Sequence, residues 1–281
     1  MLASCNISDE TGEDRIISVS ILPQKYFVEN IAGDEFSVNV LLPPGTSPAS
    51  YDPTPKQLRD INKSDIYLKM GHLGFETAWM DAIQKNHRDL KIIDLSAGIA
   101  LIESAHDHGD HSDHEGHDHG HDHDGIDPHI WMSPKTAMKI AENTAAAIIK
   151  YDPACKDLIR ANLDSLKTDI LDMDRQMEDV AANLTNKKFI IYHPALTYLA
   201  RDYGLEQISM EYEGKEPSAA YMKKLVDRAK NENIKLIFIQ KEFDQERAKQ
   251  ISKDLDAKLI QIDPLAEDWA GQMKQVIGSF R

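Results

Sequence analysis

The stretch PACKDLIRANLDSLKTDILDMDRQMEDVAANL, residues 153–184, contains no glycine and, after Pro153, no proline. Leu158, Ile159, Leu163, Leu166, Ile170, Leu171 and Met173 recur along it at three- and four-residue spacing, the period of one apolar helix face. The spacing predicts a single helix over 153–184. At 1.5 Å per residue such a rod is roughly 45 Å long, more than the width of a small domain. An ordinary core helix is one reading of it, but its position between two series of strands and helices suggests a rigid connector.

Two series of alternating strands and helices flank the rod. The first has strands at IISVSIL, EFSVNVLL, DIYLKM and LKIIDLS, with helices at QKYFVENIAG, TPKQLRDINKS and FETAWMDAIQKN between them. A further helix, PKTAMKIAENTAAAIIKYD, leads into the rod. The second series has strands KKFIIYH, EQISM, KLIFIQ and KLIQID, each followed by a helical segment. Such an order builds parallel sheets covered by helices on both faces, with ligand sites beyond the carboxyl ends of the strands. The predicted class is α/β: two lobes, each with a mainly parallel four-stranded sheet flanked by helices, joined by one long connecting helix. The predicted boundaries are a tether over 1–15, a first lobe over 16–152 that includes a histidine-rich loop at 104–126, the connector over 153–184, and a second lobe over 185–281.

A net charge of -15 argues against nucleic-acid binding and gives a field that attracts cations. The two cysteines, Cys5 and Cys155, are too few for a disulfide framework or a thiolate zinc site, which leaves histidine and carboxylate as metal donors. No apolar run reaches the roughly 20 residues that a membrane-spanning helix needs. The opening MLASC resembles the end of a bacterial lipoprotein signal, so the one membrane link expected is a lipid on Cys5, with the polar NISDETGEDR as its tether.

Four candidate metal ligands follow strand ends. His72 lies in IYLKMGHLGFE after the third strand, His193 ends FIIYH, Asp263 ends LIQID, and His129 sits in DPHIWMSP, where Trp131 can shield it. Each alone has an ordinary alternative: a solvated loop histidine for His72, a packed polar residue for His129, a helix cap for His193 and a turn cap for Asp263. Together they supply three imidazoles and one carboxylate, a closed four-coordinate set suited to Zn2+, with manganese or ferrous iron as alternatives if more oxygen joins. His87, at a helix end among charges, reads instead as a partner of that helix's C-terminus.

The blocks ILPQKYFVENIAGD, LLPPGTSPASYDPTPKQL, DPHIWMSP, YHPALTYLARDYGL, GKEPS and QIDPL resemble, in order, the metal-binding solute-binding proteins of bacterial ABC transporters, the zinc and manganese class called cluster A-I. The resemblance implies two αβ lobes on one long helix, and it matches His129, His193 and Asp263 to family ligands. It departs at PASYD, where Ala49 stands in the place of the family's first histidine. Alanine offers no donor. His72 is the preferred replacement, with Glu76, Glu211 or water as competitors.

His106, His108, His111, His114, His117, His119, His121 and His123 alternate largely with aspartates, a composition that cannot form a packed core. The HxH and HxxH spacings offer many loose arrangements for accessory metal binding, each weakened by the cost of ordering the chain. Such an insertion resembles the zinc branch of the family. The resemblance implies an extracytoplasmic, periplasmic or membrane-anchored monomer that captures zinc and hands it to an ABC permease driven by its ATPase subunit. A manganese or iron carrier and a surface adhesin or metal-storage protein are the alternatives of the same class. A metal-dependent hydrolase lacks support, since no HExxH or comparable motif occurs.

Overall fold

The computed structural model describes residues 15–103, 125–211, 217–243 and 245–281. In the first half β1 (Ile16–Val19), β2 (Ser37–Val40), β3 (Ile66–Lys69) and β4 (Lys91–Asp94) alternate with α1 (Leu22–Ala32), α2 (Pro55–Ile61) and α3 (Gly74–Asn86). After α4 (Pro134–Tyr151) and α5 (Lys156–Asn183), the second half runs β5 (Lys188–Ile191), α6 (Thr197–Tyr203), β6 (Glu206–Ser209), α7 (Ala219–Asn231), β7 (Leu236–Gln240), α8 (Gln245–Leu255), β8 (Lys258–Ile262) and α9 (Trp269–Ser279). All strand pairs are parallel, in the orders β2-β1-β3-β4 and β6-β5-β7-β8. In both sheets the chain leaves the middle two strands in opposite directions, and the crevice that opens there is where such sheets place ligands.

The long rod is present as α5, introduced by a 3-10 turn at Pro153–Cys155. Asp152 caps that turn by accepting from the Ala154 amide at 3.0 Å. Ile159, Leu166, Ile170, Met173, Met177 and Val180 form its buried stripe. Leu171 departs from the sequence reading: it lies about 100° around the helix from Ile170 and is 41% exposed. The stripe packs against α1 and α4 on one side and α9 on the other, so Phe27 and Ile140 share one continuous core with Phe189 and Trp269. A second core lies under α7 and α8.

Two indoles fasten the halves. Trp131 donates from Nε1 to the Pro264 carbonyl, and Trp269 donates from Nε1 to the Trp131 carbonyl, both at 2.7 Å. Both rings are about fully buried, at 0% and 1% exposure. Tyr198, on α6, reaches back to the Asp127 carbonyl at 2.7 Å, and Lys25 pairs with Glu267. Among the described residues no helix is long and apolar enough to cross a membrane.

Candidate metal centre

The crevice in the first sheet is closed by two buried polar side chains. Gln24 accepts from the amides of Ser20 and Ile21 and donates to the Leu68 carbonyl. Glu76 accepts from the Ser20 hydroxyl and from the amides of Met70, Gly71 and Leu73. Burial pushes the Glu76 carboxyl up from its ordinary value, against the pull of these donors. The groups that donate to it are all local, so Glu76 shapes the turn that carries His72.

That turn is tightly built. Gly71 has φ +128°, and a Cβ there would meet Ser96 Oγ at 2.7 Å. At Gly74 a Cβ would meet the Ala49 carbonyl oxygen at 2.7 Å, and the Phe75 amide donates to the Pro48 carbonyl. The PASYD loop therefore lies against the His72–Gly74 turn, so a donor on His72 starts from a backbone neighbouring Ala49.

The two other histidines meet directly. His129 follows closely on an antiparallel bridge between Glu103 and Ile126. The carboxylate of Asp127 accepts from the His129 amide and pairs with its Nδ1, both at 2.9 Å. Burial works to raise the Asp127 carboxyl, but the His129 imidazole, the Thr197 hydroxyl and the His129 amide together hold it below its ordinary value. His193 extends past β5 and is held by a bracket: Gln240, fully buried at the end of β7, accepts from its amide and donates to its carbonyl. Its Nδ1 pairs with Glu211 at 2.8 Å, and Phe243 covers the ring side while stacking on Tyr192.

With both Nδ1 atoms turned to carboxylates, the Nε2 atoms face each other at 3.3 Å. A carboxylate partner fixes the proton on Nδ1 and leaves Nε2 as a lone-pair donor. Two zinc–nitrogen bonds of about 2.05 Å at a tetrahedral angle put their nitrogens about 3.3 Å apart. The pair is thus spaced as two ligands of one zinc ion.

The remaining sequence candidates are not in that contact. Asp263 follows β8 as expected, but its Oδ1 accepts from the Leu265 amide and its Oδ2 takes the Lys241 ammonium. His72 is half-buried and bonds to none of the other three among the described residues. No group of three or more His, Cys, Asp or Glu converges on one point among the described residues. Glu211, a competitor for the fourth ligand position, pairs with Nδ1 of His193. His87 ends α3 as its C-cap. Cys5 and His106 to His123 lie outside the described residues. Gln240 and Lys241 were missed by sequence reasoning; the only signal was a polar pair closing the apolar strand LIFIQ.

The model of the periplasmic component A of zinc-uptake complexes matches residues 17–280. The chain is 30% identical over 268 residues to the high-affinity zinc uptake system protein ZnuA of Bacillus subtilis, covering 92% of this chain and 82% of that one. It is 28% identical to the zinc-binding lipoprotein AdcA of Streptococcus pneumoniae, of which it spans 52%. A crystal structure of a ZnuA deletion mutant with zinc bound superposes with a TM-score of 0.80 at 33% identity, covering 94% of this chain and 95% of that one.

Proposed function

Because this chain belongs to the family of periplasmic component A proteins of zinc-uptake complexes, we propose that it captures zinc outside the cytoplasmic membrane and presents it to an ABC permease and its ATPase. Membership makes it a binding component rather than an enzyme, which disposes of the hydrolase alternative. The observation that carries the metal assignment is the facing of two carboxylate-backed Nε2 atoms at the separation tetrahedral zinc requires. A relative with zinc bound supports the same reading.

In this proposal His129 and His193 are the two fixed ligands. His72 and Asp263 complete the set by side-chain rotation, His72 from beside Ala49 and Asp263 from its pairing with Lys241. Because the halves share a core and the indole fastenings, metal entry needs side-chain movement more than a wide hinge. A lipid on Cys5 and a monomeric state belong to the same proposal.

Calorimetric zinc titration with manganese competition tests it. Substituting His72→Ala is expected to weaken the tight site by about tenfold or more, and unchanged affinity would remove His72 from the ligand set. Deleting residues 106–123 is expected to abolish weaker zinc sites while one tight site persists. The deleted histidines precede Asp127 and His129 closely in sequence. Loss of the tight site on deletion would make them the primary centre.

A further inference from the structure

Lys241 has no part in the ligand set just proposed, yet its ammonium rests on Oδ2 of Asp263, the one carboxylate in that set. We propose that Lys241 is a specificity-determining residue: it competes with the metal for Asp263 and so keeps the centre nitrogen-dominated, favouring zinc over manganese. The inference rests on the reading of His129, His193 and Asp263 as the metal centre.

The geometry behind it is local. Gln240 and Lys241 are consecutive at the end of β7, with Gln240 clamping the backbone of His193 and Lys241 reaching Asp263 beyond β8. One dipeptide therefore presents the imidazole and withholds the carboxylate. The other oxygen of Asp263 is held by the Leu265 amide, so a metal must displace the ammonium or share the weaker-placed oxygen. The pair is accessible, with side-chain exposures of 49% for Lys241 and 26% for Asp263, which makes it an exchangeable contact rather than a permanent one. Zinc is well served by imidazoles alone, whereas manganese depends more on oxygen donors. Withholding the carboxylate thus costs manganese more than zinc.

The ratio of the two affinities separates this from simple charge repulsion. Both ions are dications, so removing a nearby positive charge through space changes both alike and cancels in the ratio; freeing a ligand oxygen does not. Zinc and manganese titrations of the whole chain, with Lys241→Met, Asp263→Asn and the double variant, read it out. Lys241→Met is expected to narrow the zinc-to-manganese ratio about fivefold, and to have no such effect when Asp263 is already asparagine. An unchanged ratio in Lys241→Met, or an equal narrowing in the Asp263→Asn background, overturns the assignment. Zinc binding that survives loss of both His129 and His193 overturns the centre itself, and this assignment with it.

Discussion

Replacing His129 by alanine is expected to weaken the tight zinc site by about a hundredfold, replacing His193 to do the same, and the double replacement to abolish the site. The size follows from what each imidazole supplies. A structural zinc site is worth on the order of 10–16 kcal/mol shared among its ligands, so one lost nitrogen removes about 3 kcal/mol, or roughly two powers of ten. The two sites differ in their side effects. His129 is buried at 8% exposure with Asp127 bonded to both its amide and its ring, so its loss leaves a buried carboxylate short of one partner. The His193 side chain is more open, at 36%, and its backbone stays in the Gln240 bracket. His193→Ala likewise leaves a buried carboxylate, Glu211, short of a partner, so the apo protein should lose stability with both replacements, more with His129→Ala, whose ring is the more buried. Thermal melts with and without zinc check both: at zinc concentrations about a hundredfold above the wild-type dissociation constant, the roughly 2.7 kcal/mol of ligand stabilisation should fall to about 0.4 kcal/mol in either variant. Retention of the full zinc-induced shift in either one would take that histidine out of the centre. Asp127→Asn and Glu211→Gln should give intermediate losses of about tenfold, since in the proposed centre these residues orient the rings.

The layered fold was legible because strand and helix periods are written in local runs of residues. IISV, IYLK, KFII and LIFIQ are short, apolar and branched, and between them lie amphipathic segments, so the alternation alone called for parallel sheets. His129, His193 and Asp263 stand out as candidates in the sequence because each lies just beyond a strand or in a motif block. Which of them touch was not legible there. That the His193 ring turns to Glu211, eighteen positions away in sequence, or that Lys241 reaches Asp263 depends on loops meeting after folding. Glu76 illustrates the same limit from the other side: an acid next to a candidate histidine looks like a ligand, but the backbone amides at Met70 and Gly71 have already claimed it. Leu171 shows that apolar character alone overstates a helix's buried face, because one residue's step of about 100° is enough to leave the stripe.

Trp131→Ala is expected to have the largest effect on stability, a loss of about 4 kcal/mol, equivalent to a fall in melting temperature of roughly 10 °C for a chain of this size. The side chain is fully buried, so its removal opens a cavity that the surrounding core can only partly fill. It also takes the donor from the Pro264 carbonyl, adding the cost of a buried acceptor left without its partner. The effect reaches the metal centre because Trp131 is two residues from His129 and lies against its ring, at a centroid separation of 5.3 Å, while Pro264 adjoins Asp263. One indole thus fixes a proposed ligand of the first half against a proposed ligand of the second. Trp131→Phe separates the two contributions: it restores most of the buried area but not the hydrogen bond, so it should recover most of the stability while leaving Pro264 unanchored, a residual cost of about 1–2 kcal/mol. If the fastening sets the distance between the halves of the centre, zinc affinity should remain reduced by several-fold in Trp131→Phe even where stability has returned. Affinity that recovers in step with stability would mean that Trp131 serves the core alone and that the centre is held by its own loops.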